Sequence, residues 1–211
     1  VANVMRALPA LLKNLGYRPT ELVHVGAHEG QEVAIYYEAG IPNLTLVEPI
    51  PALAARLRDK HPDAIVHECA CGAAPGREQL HVMARSNLST LAAPQRRDRV
   101  AETIEVDVRR LDEIAPRADA AVIDAQGREL DVLAAAPWKA LRLVVVETCT
   151  VADSTMASPY KDVVELMQAH GFREVDRWAR DYDWLNRWAR GPGQAPRGGE
   201  VRDVVFYREP V

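Results

Sequence analysis

Short apolar runs alternate along this chain with stretches in which apolar side chains recur every three or four residues, the rhythm of strands separated by amphipathic helices. Runs near 21–25, 44–48, 64–68, 103–108, 119–124 and 141–147 predict strands. Helical spacing fills 30–39, 50–60, 109–115, 127–135 and 159–170, the last stopped by Gly171. An opening helix within residues 1–18 carries Val4, Leu8, Leu11, Leu12 and Leu15 on one face and predicts a lid or outer layer. Strands and helices taken in turn predict a doubly wound α/β fold, a sheet covered on both faces, in a single domain spanning 1–211.

Two further strands, 172–177 and 201–208, enclose a segment that such a fold does not require, residues 178–200. Three of the four tryptophans sit in it, and Trp184 and Trp188 would share one face of a short helix. One account has them packing on the domain or on a second copy in a homo-oligomer. The other makes 178–200 a substrate cap, because insertions at the C-terminal edge of such a sheet border the ligand crevice.

The most informative local pattern is HVGAHEGQE, His24 to Glu32, where a buried-strand run meets a glycine turn that opens a helix. Gly26 and Gly30 let the backbone turn sharply and approach a ligand, while the helix start offers free N–H groups. The next strand ends in Glu48, about 20 residues on, where a carboxylate can accept hydrogen bonds from ribose hydroxyls. Three residues separate the glycines, which is not the G-x-G-x-x-G of dinucleotide enzymes. A later apolar strand delivers Asp124 to its C-terminal end before another helix.

Five segments in order, HVGAHEGQE, LVEP (46–49), CACGAAPG (69–76), SNLSTL (86–91) and IDAQGRELDVL (123–133), resemble the FkbM-family S-adenosylmethionine-dependent methyltransferases over roughly residues 20–150. The resemblance implies a Rossmann-like class I methyltransferase sheet, mostly parallel, whose last two strands form an antiparallel edge hairpin. It assigns Gly26, Ala27, His28 and Gly30, with Gln31 and Glu32, to the methionine portion of S-adenosylmethionine, and Glu48 to the ribose. Glu68, Cys69 and Ala70 would lie along the adenine, and Asp124, Ala125 and Gln126 beneath the methyl group. The family wording K-I-D-x-E-G is not kept: Val122 replaces its lysine and Gln126 its glutamate.

These assignments imply an O-methyltransferase acting on a hydroxyl of a small molecule, a sugar or a glycosylated or polyketide-type metabolite. An alcohol oxygen attacks well only as its proton leaves, so a base is expected. Asp124 is the first candidate and His28 the second; a helix cap at Asp124 and a backbone-bonding His28 are the plainer readings. Asp124, Glu147 and Asp153 are candidate Mg²⁺ ligands. Ser89, in a polar loop followed by arginines, is a candidate acceptor contact with Trp184 and Trp188. The departures at Val122 and Gln126 keep a catalytically inactive cofactor-binding scaffold as an alternative, and a nicotinamide-dependent dehydrogenase is a third reading.

Composition narrows the classes further. With 48% hydrophobic and 27% charged residues, the chain has the material for a packed core rather than for disorder. A net charge of −4 argues against nonspecific nucleic-acid binding. No apolar run is long enough for a membrane span and no signal peptide is read at the start, so a cytoplasmic location is expected. Cys69, Cys71 and Cys149 are expected to stay reduced, and Cys69-Ala-Cys71 matches no usual structural zinc spacing.

Overall fold

The computed structural model of the chain describes residues 2–93, 99–150, 157–179 and 201–209. Helix α1 (Ala2–Leu15) buries Leu8 and Leu12 of the expected stripe together with Met5, and half-buries Leu11 and Leu15. There follow β1 (Glu21–Val25), α2 (Val33–Glu38), β2 (Asn43–Val47) and α3 (Pro51–Lys60), which begins with proline at a position that needs no N–H. Next come β3 (Ile65–His67), β4 (Ala70–Cys71), β5 (Gly76–Met83), a 3₁₀ turn (Ser86–Leu88) and β6 (Val100–Arg109). The remainder is α4 (Leu111–Ile114), β7 (Ala120–Ile123), α5 (Glu129–Ala134), β8 (Leu143–Cys149), β9 (Ser158–Pro159), α6 (Tyr160–Ala169), β10 (Arg173–Ala179) and β11 (Val201–Tyr207).

The main sheet runs β10-β11-β8-β7-β1-β2-β3, with β9 extending beside β8. Every pairing is parallel except those of β11, which is antiparallel to both neighbours. Alternate residues feed two cores. Leu22, Val122 and Val145 meet α1, α2 and α3 on one face, while Val23, Ile123 and Val146 meet Leu133, Val163 and Met167 on the other. Burial on both faces is why these strands read as unbroken apolar runs.

The expected parallel strand at 103–108 needs correction. It is part of β6, and β6 belongs to a separate sheet of order β4-β6-β5, antiparallel to β5 and parallel to β4. Both β5 and β6 face solvent on one side, so polar residues interrupt their apolar ones. Their inward side chains, Leu80, Val82, Val106 and Val108, form a small core with Ala70. The helices expected at 109–115 and 127–135 shrink to α4 and α5.

The chain steps outward from β1 through β2 to β3, then returns to place β7 on the other side of β1. This reversal between β1 and β7 opens a crevice beyond their C-terminal ends, where doubly wound folds bind ligands. Gly26 and Asp124 are the next residues on those two strands.

Candidate functional site

Gly26 has φ +81°, and a Cβ there would lie 2.0 Å from the Asp124 carbonyl oxygen. The glycine therefore also admits the exit of the neighbouring strand, a requirement that the sequence did not show. Its N–H and that of Ala27 continue the ladder to the Val47 carbonyl at 3.0 and 3.1 Å. Gly30, at φ +71°, faces α3, where a Cβ would meet His61 Nε2 at 2.7 Å and Leu57 Cδ2 at 2.8 Å. Its requirement is helix packing.

Between these glycines His28 adopts φ 49°, a left-handed conformation that non-glycine residues seldom take and that concentrates at functional sites. That turn aims its N–H at Glu48 Oε2, 2.9 Å away, and the Ile50 N–H donates to Oε1 at 2.9 Å. Glu48 is only 4% exposed. Burial pushes its carboxyl up to about 7, while those two backbone donors pull it down. In the ionised group each oxygen retains a second lone pair, which can accept from a vicinal diol. The His28 ring is engaged on both sides: Nδ1 faces the Gln31 amide nitrogen at 3.3 Å, so Nε2 carries the proton and donates to Ser86 Oγ at 2.8 Å. Burial lowers its pKa, leaving a neutral imidazole.

Gln126, at the cleft floor, also adopts a left-handed φ of 46°. Its amide nitrogen donates to Asp124 Oδ1 at 2.5 Å and to Glu147 Oε2 at 2.8 Å. Sequence reasoning missed the residue that fixes this loop. Glu129, 0% exposed, accepts from the N–H groups of Ala125 and Gly127 through Oε1, and from the Ser158 N–H and hydroxyl through Oε2. Burial raises its carboxyl to about 7 against those donors. An acidic residue in the first helical turn was the available signal. Thr90, expected only as part of the polar loop at 86–91, ties that loop to the floor: its hydroxyl donates to the Gln126 carbonyl at 2.6 Å. Sequence reasoning gave no role to His24, which lines the cleft and whose buried ring meets the Tyr36 hydroxyl at 3.1 Å.

Gly26, Ala27, His28, Gln31, Glu32 and Glu48 line this cleft together with Cys69, Ala70, Ser89, Asp124 and Gln126. Ile50 and Leu80 add apolar surface. The Cys69 thiol, pushed up to about 11 by burial, stays protonated and belongs to that apolar wall. Gly30 and Glu68 stand outside the lining; Glu68 pairs with Arg58 at 3.0 Å on the surface. Glu147 reaches the floor through Gln126. Asp153, Trp184 and Trp188 lie outside the described residues. Among the described residues, no three metal-ligating side chains gather, and no helix is long and apolar enough to cross a membrane.

Over residues 24–174 the sequence matches the methyltransferase FkbM domain, and the chain belongs to that family. No curated protein matches it. Among solved structures it is similar to a candidate RNA methyltransferase of Pyrococcus horikoshii, at 13% identity and TM-score 0.54, covering 98% of this chain and 84% of that one. A 1,6-didemethyltoxoflavin-N1-methyltransferase of Burkholderia thailandensis, solved with S-adenosylhomocysteine, gives 16%, 0.50, 97% and 78% in the same order. The magnesium protoporphyrin IX methyltransferase of Synechocystis, solved with bound S-adenosylmethionine, gives 8%, 0.54, 98% and 79%. At these identities the likeness is one of fold: a class I methyltransferase sheet, mostly parallel with β11 reversed.

Proposed function

We propose that this chain transfers the methyl group of S-adenosylmethionine to a hydroxyl of a small molecule, a sugar or a glycosylated or polyketide-type metabolite. The observation that carries the cofactor reading is Glu48, a buried carboxylate at the end of β2, preset by two backbone donors in the crevice at β1 and β7. The surrounding groups fit the cofactor: a carboxylate for the ribose, Cys69, Ala70, Ile50 and Leu80 as an apolar wall for a base, and the turn at Gly26 to His28 for the amino-acid end.

When bound, the sulfonium supplies an electrophilic methyl that an oxygen attacks in line. The protein's contribution is alignment and exclusion of water, which can be worth several kcal/mol. Asp124 is the better-placed proton acceptor of the two candidates, because the one basic lone pair of the His28 ring, on Nδ1, already accepts from the Gln31 amide while Nε2 donates to Ser86. The polar loop carrying Ser86, Asn87 and Ser89 offers contacts suited to a hydroxyl-rich acceptor.

Calorimetry with S-adenosylhomocysteine tests the cofactor reading, and transfer of a labelled methyl into hydroxyl acceptors tests the reaction. Glu48→Ala should weaken S-adenosylhomocysteine binding by about 1.5–3 kcal/mol, the usual worth of hydrogen bonds to a charged group. Tight binding of NAD with none of S-adenosylhomocysteine would overturn the reading. Cofactor binding without turnover on any acceptor would favour the inactive scaffold that the substitution at Gln126 suggests.

A further inference from the structure

Gln126 is held from three directions. Its backbone is left-handed, a conformation that a non-glycine residue keeps only where its surroundings fix it. Its carbonyl accepts the Thr90 hydroxyl, and the N–H groups on either side of it, from Ala125 and Gly127, are both taken by Glu129. So fixed, its amide nitrogen donates to Asp124, just beyond β7, and to Glu147, within β8. Two carboxylates converging on one point commonly seat a hard divalent cation, which requires oxygen ligands at about 2.0–2.6 Å. Here the point of convergence is an uncharged NH₂, a donor that cannot ligate such an ion. Among the described residues, Asp124 and Glu147, bridged by that N–H donor and joined by no third carboxylate, do not offer a Mg²⁺ site as they stand.

We infer that Gln126 is a positioning residue that holds Asp124 and Glu147 together in place of a cation, so that this chain aims Asp124 without divalent metal. A carboxylate at position 126 would turn the same place into a cation site formed with Asp124 and Glu147.

Mn²⁺ titration followed by electron paramagnetic resonance and calorimetry reads this directly, with thermal unfolding to check each variant. Wild type should take up no Mn²⁺, and Gln126→Glu should bind one ion per chain with Kd on the order of 0.1–1 mM, the range of weak carboxylate sites. A second arm uses turnover and rests on the methyl-transfer reading. Chelator should leave wild-type kcat unchanged. Gln126→Asn tolerates the left-handed backbone but is too short to bridge; it should lower kcat by about tenfold or more with S-adenosylhomocysteine affinity within a few-fold. Stoichiometric Mn²⁺ uptake by wild type, a folded Gln126→Glu that takes none, or an Asn variant with unchanged kcat would each overturn the inference. Absence of methyl transfer by wild type would count against the function reading alone, since the Mn²⁺ arm stands without it.

Discussion

Gly26 has no room for a side chain, because the atom a Cβ would strike is a backbone oxygen that cannot swing aside. With the Asp124 carbonyl 2.0 Å from that position and φ at +81°, Gly26→Ala combines backbone strain with a steric conflict between strand exits. The loss should be about 3 kcal/mol or more, in the range of severe substitutions. Gly40 is the control: it has the same φ of +81° but nothing within 4 Å of the added carbon. Gly40→Ala should cost only ~1–2 kcal/mol, the strain of the left-handed backbone. Urea unfolding of both variants compares the two, and equal losses would remove the steric account of Gly26.

Among the elements, the small sheet of β4, β6 and β5 bears on the site through the loop that follows β5. Backbone hydrogen bonds join Thr90 to His81 in β5 at 3.0 and 3.1 Å, and the Thr90 hydroxyl then ties this sheet to the cleft floor at Gln126. It also accepts the Ala92 N–H at 2.9 Å. Thr90→Val keeps shape and backbone pairing while removing both side-chain hydrogen bonds. The variant should lose about 1–2 kcal/mol of stability, and amide exchange in 124–129 should quicken. Unchanged protection there would mean that the sheet and the floor are not coupled through Thr90.

For the whole molecule, the cleft is built at a cost in stability that depends on pH. Burial raises Glu48 and Glu129 from an ordinary value of 4.5 to about 7, so the folded chain holds their protons more tightly than the unfolded chain does. Their contribution is fully present below the unfolded value and is lost as pH rises through the folded one, a window from roughly 4.5 to 7. Glu129→Gln removes one of the two groups. The stability difference between pH 5 and pH 8, from urea unfolding, should shrink in that variant by on the order of 1–3 kcal/mol. An identical pH dependence in wild type and variant would show that Glu129 does not titrate in this window.

The parallel strands β1, β2, β7 and β8 are legible in the sequence because both of their faces are buried, and local apolar runs are all that such strands require. The turn at Gly26, Glu48 closing the next strand and the loop at Asp124 are legible for the same reason: each belongs to a strand end, and the order of elements brings those ends to one crevice. Tertiary structure alone decided what these groups touch. Gly26 answers to the Asp124 carbonyl, Gly30 to α3, and Gln126 to Glu147 and Thr90 as well as to Asp124 beside it, contacts that are mostly far apart along the chain. The same limit hid β5 and the antiparallel pairing of β6, whose polar alternation is ambiguous until each supplies the other's edge, and Glu129, which holds the floor through donors from its own loop and from β9. Periodicity records which face of a segment is apolar; it carries no record of which distant segment will satisfy a buried polar group.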